Sequence, residues 1–249
     1  MQSKIMNIKN STILVTGSSD RVGKTIALEL ARRGANIIIH YYTNKEKAIK
    51  TAQEIDKLGC NTLIVSGDLS KNTEWHKIKQ KAFNKFKKID VLINNAAIFY
   101  KTPFFDLTEK DWDNFMNVNL KSIFFGSQII GKQMYNDGFG KIINISDVSS
   151  EIVWPNYIPY CVSKSGVIAI TKGLAKALAP KVLVNCIAPG TVMLAKHYDK
   201  KEENALISRT PLKKIGSPKD IANTVIYLIE GSDFITGAVI KVDGGRSIT

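Results

Sequence analysis

The sequence predicts an α/β fold: a single doubly wound domain in which about seven parallel strands are flanked by helices. Short apolar, β-branched runs alternate with longer amphipathic segments along nearly the whole chain. The 249 residues, 44% of them hydrophobic, are enough for one sizeable core and match the upper size of one α/β domain. No internal repeat or low-complexity linker divides the chain, so we expect one domain over residues 1–249.

The predicted strands are short apolar runs: Thr12–Thr16, Asn36–Tyr41, Asn61–Ser66, Asp90–Ile93, Lys141–Ile145, Lys181–Ile187 and Ala238–Val242. The predicted helices lie between them: Gly23–Arg33, Lys45–Leu58, Asn72–Phe86, Asn119–Tyr135, Pro159–Leu178 and Pro218–Glu230. Helices of this length between strands indicate βαβ units with right-handed crossovers, and therefore a parallel sheet.

One long stretch, Thr191–Ile215, is polar and has no strand character. A loop of that length in a compact domain is usually a lid or a binding loop, and we expect a substrate loop here. The alternative is a surface excursion without a function.

Charge and cysteine content narrow the function classes. The formal charge of +13 indicates either a basic cleft for an anionic cofactor or acidic partner, or lysine-rich solvated helix faces. No basic patch with interleaved aromatic residues indicates nucleic acid, no apolar run approaches the roughly 18 residues of a membrane span, and no signal peptide is evident. Cys60, Cys161 and Cys186 are scattered, so we expect no disulfide, no metal site and a cytoplasmic protein.

The first predicted strand runs into Thr16-Gly17-Ser18-Ser19-Asp20-Arg21-Val22-Gly23, and a helix follows at once. Glycine is needed where the backbone turns sharply or approaches a pyrophosphate too closely for a Cβ atom. The helix N-terminus then presents its partial positive charge to the phosphates. A glycine loop after the first strand of a βαβ series predicts a Rossmann-type dinucleotide site.

The second predicted strand ends at His40 and Tyr41, and Thr43 and Asn44 follow. Folds that bind NAD place an acidic residue here, which accepts a hydrogen bond from the ribose 2′-hydroxyl. This chain has none, and Arg21 and a lysine next to Asn44 would tolerate a 2′-phosphate. We therefore expect NADPH as the cofactor.

Tyr160 and Lys164 lie four residues apart in a predicted helix, so their side chains share one face. A lysine ammonium beside a phenol favours the phenolate and is expected to lower the tyrosine pKa from roughly 10 towards working pH. Tyr160 is therefore a candidate general acid. Asp147 lies thirteen residues before Tyr160 and is a candidate partner.

Taken together, these segments resemble the short-chain dehydrogenase/reductase family over essentially the whole chain. The matching residues are Thr16, Gly17 and Gly23, Asp68 and Leu69, Asn94 to Ala97, Asn119, Tyr160 and Lys164, Pro189 and Gly190, and Asp243 to Gly245. The resemblance implies a homotetramer with a small-molecule substrate.

The resemblance also implies roles for single residues. Asp68 would meet the adenine, Asn95 the adenosine side and Lys164 the nicotinamide ribose. Tyr160 would donate the proton and Asn119 would anchor a relay water. The residues expected to bind cofactor are Gly17, Arg21, Val22, Gly23, His40, Tyr41, Thr43, Asn44, Asp68, Leu69, Asn95, Ala96, Tyr160, Lys164, Pro189, Gly190 and Val192.

Two positions depart from the common family pattern: Asp147 stands at the usual catalytic serine, and Arg21 at the middle glycine of the loop. A ketone reductase needs hydrogen-bond donors on the oxygen that becomes an alkoxide, whereas an ionised aspartate accepts hydrogen bonds. Asp147 therefore favours a substrate that presents N–H groups and is reduced at C=N. The alternative is that Ser146 or Ser149 replaces the serine while Asp147 points away.

These departures resemble pteridine reductases and bacterial dihydromonapterin/dihydrofolate reductases of the same fold, which also carry an aromatic residue after Asn-Asn-Ala, here Phe99. Ala97 differs from the serine of some members. We expect an NADPH-dependent reductase of pterins or folates. Its catalytic residues would be Asp147, Tyr160, Lys164 and Asn119, and its substrate contacts Arg21, Phe99, Asp147 and Tyr160. The alternatives are a 3-oxoacyl-[acyl-carrier-protein] reductase, or other carbonyl reductase of the family, and a nucleotide-binding regulatory protein without catalysis.

Overall fold

The computed structural model describes residues 6–194 and 199–249, and the strands within them form one parallel sheet. The strands are β1 Thr12–Val15, β2 Asn36–Tyr41, β3 Thr62–Ser66, β4 Val91–Asn94, β5 Gly140–Ile145, β6 Val182–Pro189 and β7 Val239–Val242. Their order is β3-β2-β1-β4-β5-β6-β7. The predicted fold class, an α/β Rossmann sheet of seven parallel strands flanked by helices, is confirmed.

The helices lie on both faces of the sheet. They are α1 Arg21–Ala31, α2 Lys45–Asp56, α3 Asn72–Phe86, α4 Glu109–Phe115, α5 Ser122–Asp137, α6 Ile158–Leu178, α7 Lys200–Ser208 and α8 Pro218–Glu230. A π-helical segment, Met116–Lys121, joins α4 to α5 without a break.

Two predicted elements differ most from the structure. The central helical stretch begins at Glu109 rather than at Asn119, because Thr108 and Asp111 form a capping box that satisfies the first amides of α4. The predicted loop Thr191–Ile215 contains α7, which begins with a second capping box made by Asp199 and Glu202. Both helix starts have the polar composition typical of a loop, and the capping boxes stabilise a helix there all the same. Residues 195–198 of the predicted loop lie outside the described residues.

The sheet is buried on both faces, as parallel sheets usually are. Ile13 and Val15 of β1 pack in a cluster with α1 and α8. Leu14, which points to the other face, packs with Trp75 of α3 and Met134 of α5. Alternate residues of one strand thus supply two separate cores.

The order of the strands in the sheet determines where a ligand site lies. β1 pairs with β4, and the sheet grows outward from this pair in opposite directions. In sheets of this kind a ligand crevice lies at the carboxyl ends of the strands where the order reverses. The segments that follow β1, β4 and β5 therefore meet there. Among the described residues, no helix is both long and apolar enough to cross a membrane.

Candidate active site

The turn after β1 closes tightly against the start of α1. Gly17 has φ of +62°, and a Cβ there would lie 3.0 Å from the Cα of Ala96. At Gly23, a Cβ would lie 2.4 Å from the Gly17 carbonyl oxygen. Both positions therefore require glycine, and α1 begins within this turn, with amides that carry partial positive charge. This cradle fits the pyrophosphate of a dinucleotide.

Asn95 supports this turn from the end of β4. Its side-chain nitrogen donates to the carbonyl oxygens of Thr16, at 2.9 Å, and Gly17, at 3.3 Å. The Thr16 hydroxyl oxygen accepts from the backbone amides of Asn95 and Ala96. Since the side-chain nitrogen of Asn95 is used within the protein, only its carbonyl oxygen is left for the predicted contact on the adenosine side.

His40 lies beneath the glycine loop and not in the ligand crevice. Its ring is 2% exposed, Nδ1 accepts from the Gly17 amide at 3.2 Å, and Nε2 lies 3.0 Å from the Gly67 carbonyl oxygen. Burial lowers the pKa of His40 to about 4, so the ring is neutral, with its proton on Nε2. Both ring nitrogens of His40 are used within the protein and hold the loop in place, so the predicted cofactor contact of this residue stays a prediction for its other atoms.

The end of β2 is polar, as predicted for the 2′-phosphate. Thr43 and Asn44 are exposed and Tyr41 is half-buried. The Asn44 side chain caps α2 by accepting from the amide of Lys47 at 3.1 Å. The Lys47 ammonium pairs with the carboxylate of Asp20. Lys47 was missed by the sequence analysis, although it lies one turn into a helix that starts at the predicted site.

Asp68 and Leu69 follow β3 and have different surroundings. The Asp68 carboxylate accepts from the Ser70 amide at 3.1 Å and from the Ser70 hydroxyl at 2.7 Å, which fixes its orientation. The Leu69 side chain is buried in the core, and its carbonyl accepts from the Trp75 ring nitrogen at 3.1 Å. The predicted cofactor contacts of Asp68 and Leu69 stay predictions, and in Leu69 the buried side chain leaves the contact to the backbone.

Arg21 occupies the glycine position of the loop with φ of +53°, a conformation that is uncommon for a residue with a Cβ atom. Its guanidinium donates to the Leu194 carbonyl at 3.3 Å. Arg21 thereby joins the glycine loop to the segment after β6. The neighbouring Val22 and Val192, both predicted cofactor residues, are partly buried against the core.

Pro189 and Gly190 border the crevice at the end of β6. The Gly190 amide donates to the Val242 carbonyl at 3.0 Å. A Cβ at Gly190 would lie 2.8 Å from the Cα of Asp243, so this position requires glycine for close backbone packing. The predicted contact of Pro189 and Gly190 with the cofactor stays a prediction.

Asp147, Tyr160 and Lys164 come together beyond the end of β5. The Tyr160 hydroxyl donates to Oδ2 of Asp147 at 2.9 Å, while Oδ1 accepts from the Ser149 amide at 2.8 Å. The Lys164 ammonium donates to the Ile145 carbonyl at 2.9 Å and lies 5.7 Å from the centre of the Tyr160 ring. The alternative in which Asp147 points away therefore does not hold. Ser146 does not replace it, since its hydroxyl donates to the Lys164 carbonyl. The other serine of that alternative, Ser149, has a buried hydroxyl without a hydrogen-bond partner among the described residues, so its role stays open.

The electrostatics of these three groups differ from the expectation. Burial and then the negative charge of Asp147 raise the pKa of Tyr160 well above its ordinary value. Burial also raises the pKa of Asp147 and lowers that of Lys164. The predicted lowering of the Tyr160 pKa is wrong for the protein by itself, because Asp147 bonds the phenol directly while Lys164 bonds Ile145. Tyr160 therefore keeps its proton.

Asn119 lies fully buried in the π-helical segment, a feature that often occurs at functional sites. Its side-chain oxygen accepts from the Ile98 amide at 2.8 Å. Its nitrogen donates to the Ile98 carbonyl at 3.0 Å and to the Ser163 hydroxyl at 3.3 Å. The side chain thus ties the segment after β4 to α6, and the predicted relay water is left to other atoms of the residue.

Phe99 belongs to an aromatic cluster that the sequence analysis missed. It stacks on Tyr157 with centroids 4.8 Å apart and meets Tyr160 edge-on, also at 4.8 Å. Trp154 stacks on Tyr160 at 6.5 Å. Phe99 remains 41% exposed, so it packs in the protein and is still accessible to a ligand. Trp154 and Tyr157 lie within six residues of Tyr160 in the sequence, and this spacing could have indicated the cluster.

The chain is similar to oxidoreductases over nearly its whole length. Residues 17–247 match the family described as "Enoyl-(Acyl carrier protein) reductase". The 3-oxoacyl-[acyl-carrier-protein] reductase FabG of Staphylococcus epidermidis is 33% identical over 240 residues, which cover 95% of this chain and 98% of that protein. The (2S)-[(R)-hydroxy(phenyl)methyl]succinyl-CoA dehydrogenase subunit BbsD of Thauera aromatica is 34% identical over 247 residues, which cover 98% and 99% of the two chains.

A solved structure shows the same fold. The 7α-hydroxysteroid dehydrogenase complexed with NADH and 7-oxo glycochenodeoxycholic acid is 28% identical, with a TM-score of 0.91 and coverage of 96% of both chains. The names of these three proteins refer to different substrates, although their identity to this chain is nearly the same. Similarity at this level therefore groups the chain with nicotinamide-dependent oxidoreductases without selecting a substrate.

Proposed function

The chain belongs to the short-chain dehydrogenase/reductase family of oxidoreductases, whose members bind NAD(P)H, and we propose that it is an NADPH-dependent pteridine reductase. It would reduce a dihydropterin or dihydrofolate to the tetrahydro form. The observation that carries the proposal is the hydrogen bond from Tyr160 to the Asp147 carboxylate. The choice of NADPH over NADH rests on the exposed Thr43 and Asn44 at the end of β2 and on the lack of an acidic residue directly after Tyr41.

A carboxylate beside the acid suits C=N chemistry. It accepts hydrogen bonds from N–H groups of a substrate, and it would repel the negative charge that develops on a ketone oxygen. Reduction of C=N adds a hydride to carbon and a proton to nitrogen. The nicotinamide, when bound, supplies the hydride.

The proton comes from the protein. Because burial and Asp147 raise the pKa of Tyr160, its hydroxyl is protonated at working pH. To act as the proton donor, it would exchange its hydrogen bond to Asp147 for one to the ring nitrogen of the bound substrate. The raised pKa of Asp147 makes it easier for this carboxyl to take up a proton and pass it to Tyr160. Lys164, held by the Ile145 carbonyl, supplies a positive charge behind the pair.

Phe99 is the group that favours a flat substrate. Its ring is two-fifths exposed and its orientation is set by stacking on Tyr157 and by the edge contact with Tyr160. A ring held in one orientation loses little conformational entropy when a heteroaromatic ligand stacks on it. We propose that the pterin binds between Phe99 and the nicotinamide.

A second candidate is reduction of a 3-oxoacyl thioester on acyl carrier protein. The name of the FabG relative supports this function better than it supports the pteridine one. The +13 formal charge would also suit an acidic carrier protein. Against it, Tyr160 is paired with the carboxylate of Asp147, and the Ser146 hydroxyl is used by the Lys164 carbonyl.

The experiment that separates the two is an NADPH-oxidation assay with dihydrobiopterin, dihydromonapterin, dihydrofolate and an acetoacetyl thioester side by side. We expect turnover of at least one pterin and weak or no turnover of the thioester, with Tyr160→Phe as the inactive control. Robust thioester reduction without detectable pterin reduction assigns the second function. Light scattering on the same sample tests the homotetramer that we propose from the family resemblance.

A further inference from the structure

A cavity of about 350 Å³ lies apart from the catalytic groups, between the end of α7 and the last residues of the chain. Its walls carry the cations Arg209, Lys213 and Arg246 together with Ile152 and Pro211. A volume of this size falls within the usual range for small-molecule sites.

Among the residues that the structure describes, no carboxylate forms an ion pair with the cations of this cavity. None of the ion pairs formed by residues 6–194 and 199–249 includes Arg209, Lys213 or Arg246. Nη1 of Arg246 is buried and has no hydrogen-bond partner. Burial and the nearby charge of Arg209 both lower the pKa of Arg246. Two like charges and an unsatisfied buried donor are a costly arrangement that a bound anion would relieve.

The residues that line the cavity are linked to the proposed active site through neighbouring segments of the chain. Ile152 closes the turn that starts at Asp147, since its amide donates to the Val148 carbonyl at 3.0 Å. Arg209 and Lys213 belong to the segment after β6 that was predicted to bind substrate. The same segment is anchored to the chain end, because the Leu212 amide donates to the Gly244 carbonyl at 3.1 Å.

We propose that this cavity binds an anionic tail of the substrate, namely a carboxylate on a side chain that extends from the reduced ring. The guanidinium groups of Arg209 and Arg246 present paired N–H donors that match the geometry of a carboxylate. The inference rests on the proposed function. It makes a folate, with its glutamyl carboxylates, a better substrate than a pterin without an acidic tail. If the protein has the second candidate function, the phosphate of the thioester's carrier is the anion that would bind in the cavity.

The test compares substrates with and without a tail on the NADPH-loaded enzyme. We expect Arg246→Gln to lower the preference for dihydrofolate over dihydrobiopterin, measured as the ratio of kcat/KM, by about tenfold or more. The loss should lie in KM. Arg209→Gln, at an exposed position, should act in the same direction and serves if Arg246→Gln does not fold. Lys132→Gln removes an exposed cation of α5 outside the cavity and should leave the ratio unchanged.

A second substrate pair separates this inference from the proposed function. If neither pterin reacts, acetoacetyl-CoA is compared with acetoacetyl-N-acetylcysteamine, which lacks the phosphates. A fall in the CoA preference in Arg246→Gln then supports an anionic-tail site although the pteridine function has failed. Unchanged ratios for both pairs overturn the inference. The inference is also overturned if Arg246→Gln changes the molar mass of the oligomer but not the ratios, because the cavity would then lie in a contact between subunits.

Discussion

Tyr160 donates a 2.9 Å hydrogen bond to Asp147, so the acid of this site is paired with a half-buried carboxylate. The pairing holds the tyrosine in its protonated form, with its hydroxyl directed towards the carboxylate. With aspartate at position 147, the hydroxyl donor that a carbonyl reductase would need beside Tyr160 is absent from that position. The choice of substrate class therefore depends on this pair.

Replacing Asp147 should move the two substrate classes in opposite directions. Asp147→Ser is expected to cut pterin turnover by roughly 10²-fold or more, because the carboxyl that supports proton transfer is lost. Turnover of an acetoacetyl thioester should hold or rise, since serine restores a donor beside Tyr160. The measurement is kcat/KM for both substrates, with Asp147→Ala as a control that supplies neither a carboxylate nor a hydrogen-bond donor and should support neither activity. A parallel fall in both activities would contradict the assignment.

Tyr160→Phe should retain cofactor binding and lose most turnover, roughly the 10²–10⁴-fold typical of a general acid. NADPH fluorescence titration and steady-state rates check the two halves of this prediction. Because the pKa of Tyr160 is raised, turnover of the unmodified enzyme should show no loss from tyrosine ionisation below the ordinary value of about 10. Turnover of the variant within a factor of two of the unmodified enzyme would refute the role.

Phe99→Ala should weaken pterin binding by about 0.5–1.5 kcal/mol from lost stacking, plus the apolar area that the ring covered. The affinity for NADPH should barely change. Because Phe99 also stacks on Tyr157, the thermal midpoint must be measured in parallel. A variant that loses both ligands together, or that is strongly destabilised, would point to a structural role.

His40 should make stability depend on acid pH. Its pKa is lowered by burial from 6.5 to about 4, so the unfolded chain takes up the proton at higher pH than the folded one does. The contribution, about 3 kcal/mol, is fully present above pH 6.5 and is lost as pH falls towards 4. Urea unfolding across this window should show a steeper pH slope for the unmodified protein than for His40→Gln. Equal slopes would show that the ring is not buried as described.

Cofactor choice is tested at the end of β2. NADPH should exceed NADH in kcat/KM, because no acidic side chain follows Tyr41 where the 2′-phosphate is expected. Thr43→Asp should narrow the difference, since the new carboxylate repels the phosphate and accepts from a 2′-hydroxyl. Equal use of both cofactors by the unmodified enzyme would show that Thr43 and Asn44 do not select NADPH.

Properties set by residues close together in the chain were predictable. Alternating β-branched runs and amphipathic stretches specify strands and helices, because side-chain periodicity is local. The glycine loop is recognisable for the same reason, since Gly17 and Gly23 answer a backbone requirement of one turn. The spacing of Tyr160 and Lys164 was enough to place both on one face of α6. The start of α4 was missed although its capping box is local, because polar residues around it resemble a loop.

Properties that depend on distant segments were decided by the tertiary structure. The Asp147 side chain follows β5 and points towards Tyr160 of α6. Burial and the charge of Asp147 together raise the pKa of Tyr160. His40 and Asn95 hold the glycine loop because β2 and β4 bring them beneath it. The cations around Arg246 come from segments far apart in sequence. Burial and charge proximity arise only when such segments pack together, and a pKa or an anion site depends on both.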